Sequence, residues 1–201
     1  DWLDGVKEGT GKITYPDGAV YEGQMLKGQR AGQGKLTLAD GLTYEGGWAD
    51  GQMSGQGILT QANGDIFEGT LVAGKRQGQG KVTYANGDVY EGGFVADKRA
   101  GKGTFRGRDG YLYEGDWSDG QISGTGRVTY ADGSVYTGQF VNGQREGHGE
   151  IVMADGFRYS GQWEAGEISG LGVATYANGD VYEGMFRAGK RQGEGVMRYA
   201  S

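Results

Sequence analysis

Few side chains in this sequence are suited to chemistry. There is one histidine, His148, and no cysteine. A lone imidazole without thiolates cannot close a zinc site. No serine has the Gly-x-Ser-x-Gly setting of a nucleophile elbow. Gly9-Thr10-Gly11-Lys12 imitates a phosphate loop, but Ile13 stands where a Ser or Thr would reach magnesium, and no helical pattern follows. The carboxylates Glu22, Glu45, Glu68, Glu91, Glu114 and Glu183 recur at one spacing against Lys12, Lys35, Lys81 and Arg127. That is the pattern of a solvated sheet face, with no pocket to shift a pKa. Catalytic residues, metal and cofactor are therefore expected to be absent. The remaining chemistry is cationic. Lys75-Arg76, Lys98-Arg99 and Lys190-Arg191 form recurring basic pairs, with Arg30 and Arg145 as single members. Such clusters attract anionic phospholipid head groups. Met53, Ile122 and Ile168 interrupt the row, and Glu146 and Glu167 oppose it. The formal net charge of −6 argues against a general nucleic-acid surface.

The elements that position these residues follow from the glycines, which number 45 in 201 residues beside a single proline, Pro16. With 13 tyrosines, this is too aromatic for a flexible linker. No run of 18 apolar residues or leader-like segment occurs. Tyr21-Glu22-Gly23 recurs as Tyr44-Glu45-Gly46 and Phe67-Glu68-Gly69, then at Tyr90, Tyr113, Tyr136, Tyr159 and Tyr182, always 23 residues apart. Numbering each unit from that aromatic, columns 3, 8, 12, 14 and 21 hold 42 of the 45 glycines. One array is expected over residues 1–201, with a partial unit 1–20, full units 21–43, 44–66, 67–89, 90–112, 113–135, 136–158 and 159–181, and a partial unit 182–201. Asp97 breaks the column-8 glycines, and Gly107 stands where other units carry a larger residue. Residues 97–109 are thus where an irregularity is expected, most simply as drift in a tolerant loop.

Columns 1–6 and 13–18 alternate in polarity, as strands do. Tyr113, Gly115 and Trp117 share one face, as do Gly126, Val128 and Tyr130. The residues between, Ser118 to Gly124, read as a loop, which places the basic pairs and His148 in loops. A register of column 5 to 14, 3 to 16 and 1 to 18 is expected. Asp-Gly or Asn-Gly at columns 20 and 21 is a hairpin signal. Keeping the aromatic columns on one face needs an odd number of turn residues, hence a three-residue loop closing on a left-handed glycine. The fold predicted is all-β, an elongated single-layer antiparallel β-meander of hairpin repeats, a twisted solenoid-like rod. Trp48, Phe94, Trp117, Phe140 and Trp163 fall in one column, a stripe that reads first as core and second as a partner-binding groove.

Tyr44-Glu45-Gly46-Gly47-Trp48 followed by Gly51, Gly55 and Gly57 resembles the MORN-repeat family, and the likeness runs over the whole chain. The resemblance implies a β-hairpin array that acts as a scaffold or targeting module rather than an enzyme. Chains built only of such units are similar to cytoskeletal scaffolds of protozoan parasites, at the flagellar-pocket collar or basal complex. It implies a cytoplasmic, cytoskeleton-associated and membrane-proximal setting, other cytoskeletal proteins as partners, and a fragment of a longer array. The alternative is a module for phosphoinositide or other anionic membrane through Lys75, Arg76, Lys98, Arg99, Lys190 and Arg191. Exposed strand edges invite pairing with another chain. The last hairpin presents Tyr182, Met185, Phe186, Met197 and Tyr199, so a tail-to-tail homodimer is expected there, as the resemblance also implies.

Overall fold

The computed structural model describes residues 2–3 and 5–201. Every regular element among them is a strand. The chain divides into two compact units, Asp1–Lys98 and Arg99–Ser201. The first contains β1 (Trp2–Leu3), β2 (Val6–Lys7), β3 (Gly9–Thr14), β4 (Val20–Leu26), β5 (Gln29–Thr37), β6 (Thr43–Ala49), β7 (Gln52–Thr60), β8 (Ile66–Val72), β9 (Lys75–Thr83) and β10 (Val89–Val95). The second is built from β11 (Lys98–Arg106), β12 (Leu112–Ser118), β13 (Gln121–Thr129), β14 (Val135–Val141), β15 (Gln144–Val152), β16 (Arg158–Glu164), β17 (Glu167–Thr175), β18 (Val181–Arg187) and β19 (Lys190–Arg198). In each unit, successive strands from β3 and from β11 pair antiparallel with their neighbours in sequence, a meander.

Two kinds of turn alternate. At columns 7 and 8 the loop has two residues, as in Lys27-Gly28 between Leu26 and Gln29, which pair directly. Both have positive φ, 52° and 76°, the conformation of a type I′ hairpin. This corrects the longer loop expected over Ser118 to Gly124. Only Asp119 and Gly120 turn there, and β13 begins at Gln121. The basic pairs and His148 therefore lie in strands, because a type I′ turn needs no more than two residues to reverse the chain. The other turn follows the expected form. Gly18 N–H donates to Tyr15 O and Tyr15 N–H to Ala19 O, around Gly18 at φ 92°. This three-residue loop with a left-handed glycine keeps successive aromatic columns on one face.

The register also differs from expectation. Tyr21 lies opposite Leu36 and Gly23 opposite Gly34, after which the register shifts and Met25 faces Arg30. Column 1 thus pairs with 16, column 3 with 14 and column 5 with 10, with an irregularity at column 4 in every unit resolved this way. The short I′ turn sets this register, and the column-4 bulge absorbs the phase mismatch between the two turn types.

Glycines at columns 3 and 14 face each other because nothing larger fits. A Cβ on Gly57 would lie 2.5 Å from Tyr44 Cε2, and one on Gly46 would lie 2.5 Å from the Gly57 Cα. The column-1 ring lies flat over this glycine pair. The irregular stretch at residues 97–109 is compensated locally. Asp97 keeps the left-handed turn, at φ 77°, and its carboxylate accepts from Arg76 Nε at 2.7 Å. Gly107 is matched by Tyr111 across the same turn, and Tyr111 packs on Phe105 and Tyr130 at 6.1 and 6.2 Å. Large and small have exchanged places, a volume-conserving swap.

Candidate interaction surfaces

The core of each unit is a series of rings. Tyr21, Tyr44, Tyr90, Tyr113, Tyr136 and Tyr159 are fully buried, and Tyr182 nearly so. Each hydroxyl donates to the carbonyl of its own column 4, for example Tyr44 to Gly47 at 2.9 Å, Tyr113 to Asp116 at 2.7 Å and Tyr136 to Gln139 at 2.8 Å. The bulge turns that carbonyl towards the ring, so a buried hydroxyl finds its partner. Burial raises the phenol pKa of Tyr21, Tyr44, Tyr113, Tyr136 and Tyr159, and the Tyr136 hydroxyl is pushed up to about 12. Sequence reasoning missed this bond, because the bulge that presents its acceptor leaves no residue signature at column 4.

The predicted stripe Trp48, Phe94, Trp117, Phe140 and Trp163 is buried. Trp48, Phe94, Phe140 and Trp163 each stand edge-on between two column-1 rings, as Trp163 does between Tyr136 at 5.2 Å and Tyr159 at 5.5 Å, and Trp117 stands edge-on to Tyr113 at 5.3 Å. Trp48, Trp117 and Trp163 donate Nε1–H to Gly34, Gly103 and Gly149 of the preceding unit, each at 3.0 Å. Edge-to-face packing plus a satisfied indole N–H is the favourable geometry for such a ring.

Arginine at column 10 covers the outside of these rings. Arg30 lies 4.6 Å from the Trp48 centroid, Arg76 4.9 Å from Phe94, Arg99 4.5 Å from Trp117 and Arg145 4.5 Å from Trp163. The same guanidinium donates to the column-8 carbonyl beneath it, from Arg30 to Gly51 at 3.1 Å and from Arg145 to Gly166 at 2.7 Å. Arg76 and Arg99 are thus half-buried stacking groups, whereas Lys75, Lys98, Lys190 and Arg191 are exposed. Lys75 pairs across the strand with the exposed Val72.

The opposite face carries the polar residues. Glu22 stands between Lys12 and Lys35, and Glu68 and Glu91 flank Lys81. In the first unit this face forms an open groove of about 890 Å³, floored by Gly46, Gly57, Gly69 and Gly80 and rimmed by Glu45, Glu68, Glu91, Gln56 and Gln79. In the second unit Asp116 lies in ion-pair contact with Lys102. That hydrogen bond, with one from Thr125 N–H, holds the carboxyl below its usual range. His148 is exposed in β15, its backbone N–H donating to Gln139 Oε1 at 3.1 Å. Among the described residues no cluster of three His, Cys, Asp or Glu is placed to hold a metal.

At the last hairpin Tyr182 and Phe186 are buried, their rings 5.1 Å apart. Met197 is half-buried, while Met185 and Tyr199 are exposed at 39% and 77%. The predicted set therefore splits between core and surface. The polar face changes character here. Leu171 lies opposite Met185, and both are exposed beside Val173 and Val196, where earlier units carry polar residues apart from Gly47, Gly93 and the exposed Ile58. Eight of the nine residues of β19 are exposed.

These features define a tandem array of glycine-floored antiparallel hairpins with two aromatic core columns and one solvated face. The chain belongs to the MORN repeat family, whose model matches residues 1–20, 21–43, 44–66, 67–89, 90–110, 113–135, 136–158, 159–181 and 182–201. MORN repeats are in general protein- or membrane-interaction modules. The search of curated proteins gave no match. Among solved structures, the chain is similar to the TCP domain of SAS-4 (dCPAP) of Drosophila melanogaster in complex with a proline-rich motif of Ana2 (dSTIL). The identity is 16% over 95% of this chain and 90% of that one, with a TM-score of 0.43. It is also similar to the wild-type TCP10 domain of Danio rerio CPAP, at 12% identity over 90% of this chain and 99% of that one, with a TM-score of 0.41. At these values the likeness carries no functional inference.

Proposed function

We propose that the chain is a non-enzymatic scaffold whose C-terminal hairpin is a protein-contact surface and pairs tail to tail with a second copy. The observation that carries this reading is the exposed aliphatic cluster of Leu171, Val173, Met185 and Val196, which lie on the adjacent strands β17, β18 and β19. Patches of this kind mark interaction sites when they stand out from a solvated surround. Like surfaces meeting about a two-fold axis give a closed dimer rather than a filament. The resemblance to all-MORN cytoskeletal scaffolds supports a cytoplasmic, cytoskeleton-associated setting with further cytoskeletal partners. Light scattering tests the pairing. The expected mass at micromolar concentration is twice the 21.3 kDa of one chain. Replacing Met185 and Val196 together by Glu should return it to one. A single-chain mass for the unaltered protein would remove self-association from this reading.

A second reading is contact with an anionic membrane. It is favoured by the exposed Lys75 beside the exposed Val72, a cation next to an apolar side chain. Liposome co-sedimentation at two salt concentrations checks it, with Lys75, Lys98 and Lys190 replaced by Gln as the variant. Binding that survives both high salt and the variant would place the contact elsewhere.

A further inference from the structure

We infer that the glycine-floored groove on the polar face of the first unit takes a basic segment of another protein in polyproline II conformation, with a lysine or arginine at every third residue. The groove is open because three consecutive repeats are small at column 4. Gly47, Thr70 and Gly93 hold that column there, whereas the repeats beginning at Tyr21, Tyr113, Tyr136, Tyr159 and Tyr182 carry Gln24, Asp116, Gln139, Gln162 and Met185. Three of these longer side chains fold back onto the sheet. Gln24 accepts from the Gln33 N–H at 2.7 Å, Asp116 from Thr125 at 2.9 Å and Gln139 from His148 at 3.1 Å. The small residues instead lie opposite glutamines, Gln33 facing Gly47, Gln56 facing Thr70 and Gln79 facing Gly93. No other repeat has glutamine at column 13.

The groove is thus lined three times by one carboxamide and one carboxylate: Gln33 with Glu45, Gln56 with Glu68 and Gln79 with Glu91. Among the described residues, none of these three carboxylates makes an ion pair. Lys81 lies opposite both Glu68 and Glu91. Between Glu45 and Glu68 that place is taken by Ile58, which is 48% exposed. Two carboxylates therefore flank an aliphatic side chain with no cation between them. That arrangement is complementary to two cations whose methylene stems rest on Ile58.

The repeat interval selects the backbone of the ligand. Strands about 4.8 Å apart put equivalent groups of successive repeats about 9.6 Å apart. Polyproline II returns the same face every third residue, about 9.3 Å, and drifts only about 0.6 Å over three repeats. An α-helix returns it every seventh residue, about 10.5 Å, and drifts about 1.8 Å. A β-strand shows one face every second residue, about 6.7 Å, and falls out of step. Polyproline II also leaves its carbonyls without internal partners. The glutamine carboxamides offer donors at the same interval, and the glycine floor lets a backbone approach. Exposed ion pairs are individually weak, so discrimination rests on having three in register. The groove draws on neither the C-terminal aliphatic cluster nor the exposed lysines, and it stands or falls apart from both.

The test uses the full chain and two fluorescein-labelled nonapeptides, read by anisotropy at physiological salt. One consists of three Arg-Ala-Pro triplets. The other has the same composition with its arginines at every second residue. Saturable binding of the first is expected, at least tenfold tighter than the second. Glu68→Gln should weaken it at least fivefold. Ile58→Lys, which supplies an internal cation, should weaken it at least tenfold. Thr70→Gln, which restores a long column-4 side chain, should weaken it at least fivefold. Glu114→Gln in the second unit should change nothing. Melting curves establish that each variant is folded before its affinity is read. The proposal is overturned by no saturable binding at millimolar protein, or by unaltered affinity in Glu68→Gln and Ile58→Lys. Equal affinity for the two peptides would mean a diffuse attraction between charges and would overturn it as well.

Discussion

The two units differ in how their cores are connected. In the second, the rings touch in one unbroken series: Trp117, Tyr113, Phe140, Tyr136, Trp163, Tyr159, Phe186 and Tyr182, with centroids 5.1–5.6 Å apart. In the first, the described rings form two islands, Tyr21–Trp48–Tyr44 and Phe67–Phe94–Tyr90. Leu71 stands between them, fully buried. Yet the two units share strand lengths, turns and register. The glycine floor and the turns thus define the backbone, and the occupants of columns 1, 5 and 10 set how much each junction contributes.

The largest expected effect follows directly. Trp163→Ala should cost about 3–5 kcal/mol, losing ring contacts and leaving the Tyr136 and Tyr159 edges bare. Leu71→Ala should cost nearer 2–3 kcal/mol, since no ring series is broken there. Chemical denaturation of both variants checks the difference. Equal losses would mean that the unbroken series adds nothing beyond burial.

The next effect concerns one hydroxyl. Phe67 is the only column-1 residue between Tyr21 and Tyr182 without one. Tyr136→Phe should lose about 1–2 kcal/mol, because the Gln139 carbonyl loses its 2.8 Å partner. Phe67→Tyr should gain about 0.5–1.5 kcal/mol by giving the Thr70 carbonyl the same partner. Thermal unfolding of the pair shows whether the first unit has the same acceptor geometry, and a loss on adding the hydroxyl would show that it does not.

A smaller effect is expected from the stacking cations. Arg145→Met should cost about 1 kcal/mol, while Met53→Arg should gain nothing, because Leu71 has no ring face. A stabilising Met53→Arg would mean that the arginine acts through its hydrogen bond to the turn rather than through the ring.

Alkaline pH gives the last comparison. The Tyr136 phenol titrates near 12 when folded and near 10 when unfolded. A group raised on folding stabilises fully below its unfolded value. Stability should therefore hold up to about pH 9 and fall between about 10 and 12. The fall should be weaker in Tyr136→Phe, and a denaturation midpoint flat to pH 12 would contradict buried neutral tyrosines.

The repeat length, the strand pair, the glycine floor and the closing glycine loop were legible because each leaves a residue at a fixed column. The register was not. It depends on a two-residue turn in which Lys27, Ala73 or Asn142 takes a left-handed conformation, and residues as unlike as these announce no turn. The role of Arg76 and Arg99 was also hidden. A basic pair beside a turn reads as a solvated loop until the register places one member over the next unit's ring. Tyr182 and Phe186 read as surface for the same reason, since nothing in their own unit shows that each is covered by its neighbour.

Those column-7 turns carry a further consequence for how such sequences change. Ala73, Ala96, Ala165 and Ala188 all hold φ near 50°, where an alanine is disfavoured by about 1–2 kcal/mol per residue. Asparagine, aspartate and glycine tolerate that conformation better, and Asp50, Asp119 and Asn142 already use it. The four alanines are therefore unspent stability at the exposed hairpin tips. A lineage that lost a ring or a hydroxyl in the core has four independent single-residue routes to recover, none of which touches a packed surface.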